Sequence, residues 1–365
     1  MNSTYHISIY LDTRREKASG KFPVKLRVFT PHPRKQKLYP TKFDLSEADF
    51  KEAWTSQRTK QAYKETRKRL NALLVKADEV AEKLTPFTFE RFEKQLYRKA
   101  GEGIRVEYQY NETIKRLETN NQIGTASSYD LSQKSIKDFI ENKLKKSYEA
   151  LTFFDIDKSW LKAYENYMVN EKELSYSTVG IYLRPFRAVF NHAIEENEIN
   201  KDLYPFGKNK YQIPTAKKTK RALNSIQLGL FFNSRCKTEQ QQKAKDFWFF
   251  SYACCGMNIK DICLLKYKDI KNDSFEFYRA KTKLTKGEKT TITVHLNDFS
   301  KSIIEKYGNT KKGSENYIFD ILSNALTPQQ QRQKIQNFTR FINQHVKNIC
   351  KANNLPEAVS VMWAR

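Results

Sequence analysis

The chain has 365 residues, enough for two or three domains of ordinary size, and no single one needs to carry every function. Its 66 Lys and Arg against 41 Asp and Glu give a net charge of +25, which attracts polyanions and makes any DNA affinity strongly salt dependent. No apolar run approaches the ~20 residues of a membrane span, residues 1–10 are not a signal peptide, and the cysteines and histidines lack metal-ligand or disulfide-framework spacing. A polybasic membrane-surface protein is the rival to a nucleic-acid binder. Free cysteines in apolar context fit a reducing, cytoplasmic setting, with no metal and no cofactor expected.

Residues 1–50 read as β. In 22–29, Val24, Leu26 and Val28 alternate with Lys25, Arg27 and Phe29, so one face is apolar and the other partly basic. Residues 7–11 alternate as well, and a third strand is predicted near 37–43. The polar stretch 12–21 reads as a hairpin loop. Arg14, Arg15, Lys17, Lys21, Arg34, Lys35 and Lys37 crowd this short unit, and a narrow basic sheet can enter a major groove. Ser46, followed by Glu47 and Asp49, predicts the start of one long helix over 46–84 with no Gly or Pro to interrupt it. A further helix over 88–99 stops at Gly101-Glu102-Gly103.

Residues 106 to about 205 are predicted as helices over 106–120, 125–145, 157–170 and 177–196, which make a compact all-α module. The last of them carries Tyr182, Arg184, Arg187 and Asn191 among apolar neighbours. Arginine and asparagine on a helix face can meet phosphates or base edges, and a solvated bundle surface is the plainer alternative. Lys217, Lys218, Lys220 and Arg221 make the following segment, 208–222, a basic linker.

From residue 223 onward the pattern is α+β. Helices are predicted over 225–233 and 240–255. The second holds Phe247, Trp248, Phe249, Phe250 and Tyr252, too apolar for a base-stacking platform and therefore core. Strands over 273–278 and 291–296 flank a basic hairpin with Lys281, Lys283 and Lys286, and helices follow over 298–307 and 328–353. The segment 256–270 reads as a short amphipathic helix, a turn and a strand. With Lys281 just after it, that order suggests a site for a DNA phosphate.

The stretches Thr178-Val179-Gly180-Ile181-Tyr182-Leu183-Arg184 and Phe190-Asn191-His192-Ala193-Ile194, with 256–270 and Lys281, resemble the tyrosine site-specific recombinases, or phage-type integrases. The nearest likeness is to the subgroup on mobile elements of Bacteroides-like bacteria. The resemblance covers nearly the whole chain and implies a multidomain protein. Residues 1–84 resemble a small arm-type DNA-binding sheet with a connecting helix, 85–105 a linker helix and 106–207 the SAM-like core-binding domain. After the linker 208–222, residues 223–365 resemble the α+β, mainly α, catalytic domain, C-terminally incomplete.

The implied chemistry is phosphoryl transfer. A tyrosine hydroxyl attacks the scissile phosphate to give a 3′-phosphotyrosyl link that a DNA hydroxyl later reverses, without metal or ATP. Lys281 matches the hairpin lysine, the general acid. Arg365, in Met362-Trp363-Ala364-Arg365, matches the second phosphate-binding arginine, with Met362 where a histidine usually stands. Asp261 matches the supporting acid of the first box. Asn258 stands at the first arginine position, so the phosphate clamp lacks a charge that Lys260 or Lys266 would supply from another angle. The implied DNA contacts are Arg14, Arg15, Lys25, Arg27, Thr125, Thr178, Tyr182, Arg184, Arg187, Lys217, Lys218 and Lys220. The implied partners are double-stranded DNA at core and arm sites, three further copies of the chain in a tetramer on DNA, and a DNA-bending host factor, with no membrane.

None of the 20 tyrosines falls after the second box. The chain is therefore expected to be a truncated integrase that binds DNA without forming a covalent adduct. The alternative is a non-catalytic protein occupying recombination or promoter sites.

Overall fold

The computed structural model describes residues 5–84, 86–99, 101–215, 222–281 and 291–365. They form two compact units. One comprises Met1–Asn111, Ile136–Tyr167 and Phe186–Gln212, the other Glu112–Ser135, Met168–Pro185 and Ile213–Arg365.

The first unit opens with the antiparallel sheet β1 (His6–Leu11), β2 (Phe22–Thr30) and β3 (Lys35–Leu45), in that order. The register sets Ile9 opposite Leu26 and Leu26 opposite Tyr39. The period-two pattern works as expected: Val24, Leu26 and Val28 are fully buried, while Lys25 and Arg27 on the other face are half-exposed. The apolar face packs on Leu70, Ala77 and Ala81 of α2 (Lys64–Glu82) and on Phe92 and Leu96 of α3 (Phe89–Tyr97).

The single helix expected over 46–84 is broken. Ser46 caps α1 (Glu47–Phe50), its hydroxyl accepting from the Asp49 N–H, but the chain widens to a π turn over Lys51–Thr55 and is extended at Ser56. No Gly or Pro marks the break. Arg67 holds it, donating to the carbonyls of Trp54 at 2.8 Å and Ser56 at 2.6 Å. A distant guanidinium thus satisfies carbonyls that a continuous helix would have bonded itself.

The helical block follows the expected order: α4 (Val106–Thr119), α5 (Ile123–Asp138), α6 (Lys158–Asn166) and α7 (Tyr176–Glu195). Asp157 caps α6 through the Trp160 N–H at 2.7 Å, and the Ser175 hydroxyl accepts from the Thr178 N–H at the start of α7. Helix α5 starts two residues earlier than the sequence suggests, because the Gln122 carbonyl already accepts from Thr125 and Ala126. Within the first unit, Phe153, Trp160, Phe186, Phe190 and Phe206 form an aromatic cluster, with Phe153 and Phe190 4.6 Å apart, edge to face.

In the second unit α8 (Ser225–Asn233) precedes α9 (Glu239–Ala253). Phe247, Trp248 and Phe250 of α9 are fully buried, so that run is core as read, whereas Tyr252 is about half exposed. Helix α10 (Ile259–Leu264) leads into a second antiparallel sheet, β4 (Ile270–Lys271), β5 (Ser274–Phe277) and β6 (Ile292–His295). Phe275 pairs with Ile270 on one side and Val294 on the other. Helices α11 (Asp298–Tyr307) and α12 (Pro328–Ala352) complete the unit, α12 burying Ile342, Val346 and Ile349 in the same core as α9. No helix among the described residues is long and apolar enough to cross a membrane.

Candidate nucleic-acid interface

Asn258, the residue at the expected arginine position, is the N-cap of α10. Its side-chain oxygen accepts from the Lys260 N–H at 2.9 Å. The polar end of Asn258 is therefore spent on a helix start. One turn on, Asp261 is buried, and its Oδ1 accepts from the Ala280 N–H at 2.9 Å. That bond ties the exit of β5 to α10 and sets Lys281, the next residue, beside it. Burial pushes the Asp261 carboxyl above the usual carboxylate range. The Ala280 N–H opposes that rise, as do the charges of Arg279, Lys260 and Arg365.

Arg365 reaches the same place from the other end of the unit. The segment before it is pinned to the core by the Trp248 indole N–H donating to the Ser360 carbonyl at 2.9 Å. The Val361 N–H donates to Asn343 Oδ1, also at 2.9 Å. Gly256, at φ +71°, lets the backbones touch: a Cβ there would lie 2.8 Å from Arg365 Cα.

The result is a cleft of about 730 Å³. Its walls include Asn258, Lys260, Asp261, Arg279, Lys281, Met362 and Arg365, and, across from them, the turn Asn121–Thr125 that starts α5. Lys260, Arg279, Lys281 and Arg365 are four cations against one buried carboxylate. Lys260, Lys281 and Arg365 form no salt bridge among the described residues. A planar guanidinium grips phosphate oxygens bidentately, and ammonium groups add point charge, so this lining suits a phosphodiester.

Of the residues singled out in the sequence, the fold therefore gathers Asn258, Asp261, Lys281, Arg365 and Thr125. It leaves others outside the cleft. Lys266 is turned away, paired with Glu315 at 3.2 Å and set over the Tyr317 ring, so of the two lysines offered as a charge substitute only Lys260 is in place. Arg14, Arg15, Lys25 and Arg27 lie on the amino-terminal sheet. Arg14 binds Asp12 at 2.9 Å, and Arg27 donates to the Ser8 hydroxyl and lies over Tyr10. Thr178, Tyr182, Arg184 and Arg187 lie on α7, the two arginines exposed. Lys217, Lys218 and Lys220 fall outside the described residues, as do Lys283 and Lys286 of the hairpin.

Sequence reasoning missed Arg279 and the turn residues Asn121 and Gln122. The signal for Arg279 was its place two residues before Lys281 at a strand end. The gap between the helices predicted over 106–120 and 125–145 marks the turn, but nothing local marks it as part of the cleft, which it joins only through tertiary packing. The cysteines play no part in the lining. Burial raises Cys254 and Cys263 to about 12 and Cys350 to about 11, which keeps them as inert thiols.

Residues 106–213 match the phage integrase SAM-like domain. The likeness to phage-type integrases is thus borne out in the helical block. No curated protein matches the chain by sequence. Among solved structures the chain is similar to the Tn1549 transposon integrase (residues 82–397) in complex with circular intermediate DNA. The identity is 17%, with 72% of this chain and 84% of that chain covered and a TM-score of 0.46. It is also similar to a lambda integrase dimer bound to a COC′ core site, at 14% identity over 98% of this chain and 84% of that one, with a TM-score of 0.46.

Proposed function

We propose that this chain, which carries the SAM-like domain of the phage-type integrases, works on duplex DNA in site-specific recombination of the tyrosine-recombinase type. The observation that carries the reading is the cleft: four cations around one buried carboxylate, beside a turn of the SAM-like domain. In this reading the scissile phosphate enters the cleft. Arg365 holds its non-bridging oxygens bidentately. Lys260 and Arg279 supply the positive charge that Asn258 does not. Lys281 protonates the 5′-oxygen as it leaves, while a tyrosine hydroxyl forms the 3′-phosphotyrosyl link. Asp261 is a positioning residue, acting on Lys281 through the Ala280 N–H.

The other basic surfaces fit supporting roles. The sheet of 1–84, with Arg14, Arg15, Lys25 and Arg27, serves as an arm-type DNA module. The helical module of 106–207 grips core DNA through Thr178, Tyr182, Arg184 and Arg187. The basic linker tracks the backbone, and four copies assemble on DNA, with a bending host factor assisting.

Two measurements test the reading. The chain should protect a duplex from nuclease digestion, with an affinity that falls steeply as salt rises. In the protein that carries this chain, Lys281→Ala should abolish cleavage of an ordinary phosphodiester yet spare one whose leaving oxygen is replaced by sulfur, which needs no proton. Equal loss on both substrates would remove Lys281 from the general-acid role.

A further inference from the structure

We infer that the turn before α5 determines sequence specificity. In this assignment the side-chain amides of Asn121 and Gln122 read base edges, in the major groove, next to the phosphate held in the cleft. The inference rests on the DNA reading above and adds to it which groups distinguish one sequence from another.

Cations in a phosphate site bind every sequence alike, because the backbone carries no base information. Lys260, Arg279, Lys281 and Arg365 are of that kind. Three side-chain amides also line the cleft: Asn121, Gln122 and Asn258. The Asn258 oxygen is already engaged with the Lys260 N–H. The Asn121 and Gln122 amides have no hydrogen-bond partner among the described residues. Each offers a donor and an acceptor on one planar group, the pairing that matches N7 and N6 of adenine.

Their backbones, by contrast, are fixed. The Asn121 N–H donates to the Glu118 carbonyl at 2.9 Å and the Gln122 N–H to the Leu117 carbonyl at 2.8 Å, while the Gln122 carbonyl accepts from Thr125 and Ala126. Asn121 turns the chain at φ +56°. Gly124 packs against the Arg332 guanidinium of α12, whose Nη1 lies 3.0 Å from where a Cβ would stand. A rigid turn with two uncommitted amides in a cationic cleft is built to place them, since reading a base demands that the backbone already be in position.

The test begins by selecting duplexes for the full chain from a randomised pool. The best duplex and its single-base variants are then bound by wild type, Asn121→Gly and Gln122→Glu at two salt concentrations. Glycine keeps the left-handed turn while removing the amide. Gln122→Glu keeps the shape and leaves only acceptors, which suit the cytosine amino group. Asn121→Gly is expected to lose about tenfold discrimination at one or two adenine positions, with non-specific affinity and salt slope unchanged. Gln122→Glu is expected to move a preference from adenine to cytosine. Uniform weakening on all duplexes, an unaltered preference profile, or a wild type that binds duplexes without preference would overturn the inference while leaving the DNA reading standing. A wild type that binds no duplex at all would remove both.

Discussion

In the amino-terminal sheet several basic side chains stand beside groups that answer them. Arg14 pairs with Asp12, Lys17 with Asp44 and Lys37 with Glu93, and Arg27 lies over Tyr10. In the cleft, Lys260, Lys281 and Arg365 have no ion pair among the described residues, and the one carboxylate is turned inward to a backbone N–H. Both regions are dense in Lys and Arg, so density alone does not separate them. What separates them is where the counter-charge sits. A cation already paired must exchange its carboxylate for a phosphate and gains only the difference, whereas an unpaired one gains the whole interaction. Exposed ion pairs contribute little to stability, and the sheet tolerates losing them, but they lower what each cation can add to DNA binding.

The largest expected effect breaks or upholds that contrast directly. Lys260→Ala combined with Arg365→Ala should weaken duplex binding about a hundredfold, since a charge-assisted contact is worth roughly tenfold or more. It should also lower the salt slope by about two units, near 0.9 per lost phosphate contact. Arg14→Ala combined with Lys17→Ala, both paired with carboxylates, should cost only about threefold. Anisotropy titrations at two salt concentrations measure both. Equal losses would show that paired and unpaired cations contribute alike and would dissolve the distinction.

A second pair of variants sharpens the same contrast in stability. Gly20, in the sheet's hairpin loop, and Gly256, beside Arg365, have nearly the same left-handed φ, +70° and +71°. A Cβ at Gly20 meets nothing within 4 Å, but at Gly256 it meets Arg365 Cα at 2.8 Å. Gly20→Ala should cost about 1–2 kcal/mol, the left-handed penalty alone. Gly256→Ala should cost more, by about 1–3 kcal/mol for the overpacked contact, and should weaken DNA binding because Arg365 moves. Urea unfolding with a binding titration reads both. Equal costs at the two positions would mean that the Arg365 segment yields freely.

Much of this was legible beforehand, for local reasons. Alternation at Val24, Leu26 and Val28 reports a half-buried strand, and the cap Ser46 reports a helix start. The break after α1 was not legible, because its cause, Arg67 on Trp54 and Ser56, lies a helix away with no Gly or Pro to announce it. In the site, the resemblance to the tyrosine recombinases picked out Asn258, Asp261, Lys281 and Arg365, and the fold brings these four to one cleft. The opposite fates of Lys260 and Lys266 were not legible, since they depend on Glu315, 49 residues past Lys266. Asn121 and Gln122 were invisible for the same reason: packing, not pattern, brings that turn to the cleft.

The smallest expected effect is one of sign, and it sets the two regions in opposition. Burial raises the Asp261 carboxyl above its unfolded value, so the folded chain holds that proton more tightly and stability falls as pH rises through the folded value. The hydrogen bond from Arg14 lowers the Asp12 carboxyl, so its contribution is present above the unfolded value and lost as pH falls through the folded one. Asp261→Asn keeps an oxygen for the Ala280 N–H and removes the charge. Relative to wild type, that variant should gain stability as pH rises from about 3 to about 7, while Asp12→Asn should lose it over the same window. Denaturation midpoints across that range decide the matter. Parallel pH profiles for the two variants would mean that the inward carboxylate of the cleft and the paired carboxylate of the sheet feel the same field, and the contrast between an answered and an unanswered charge would fail at its simplest point.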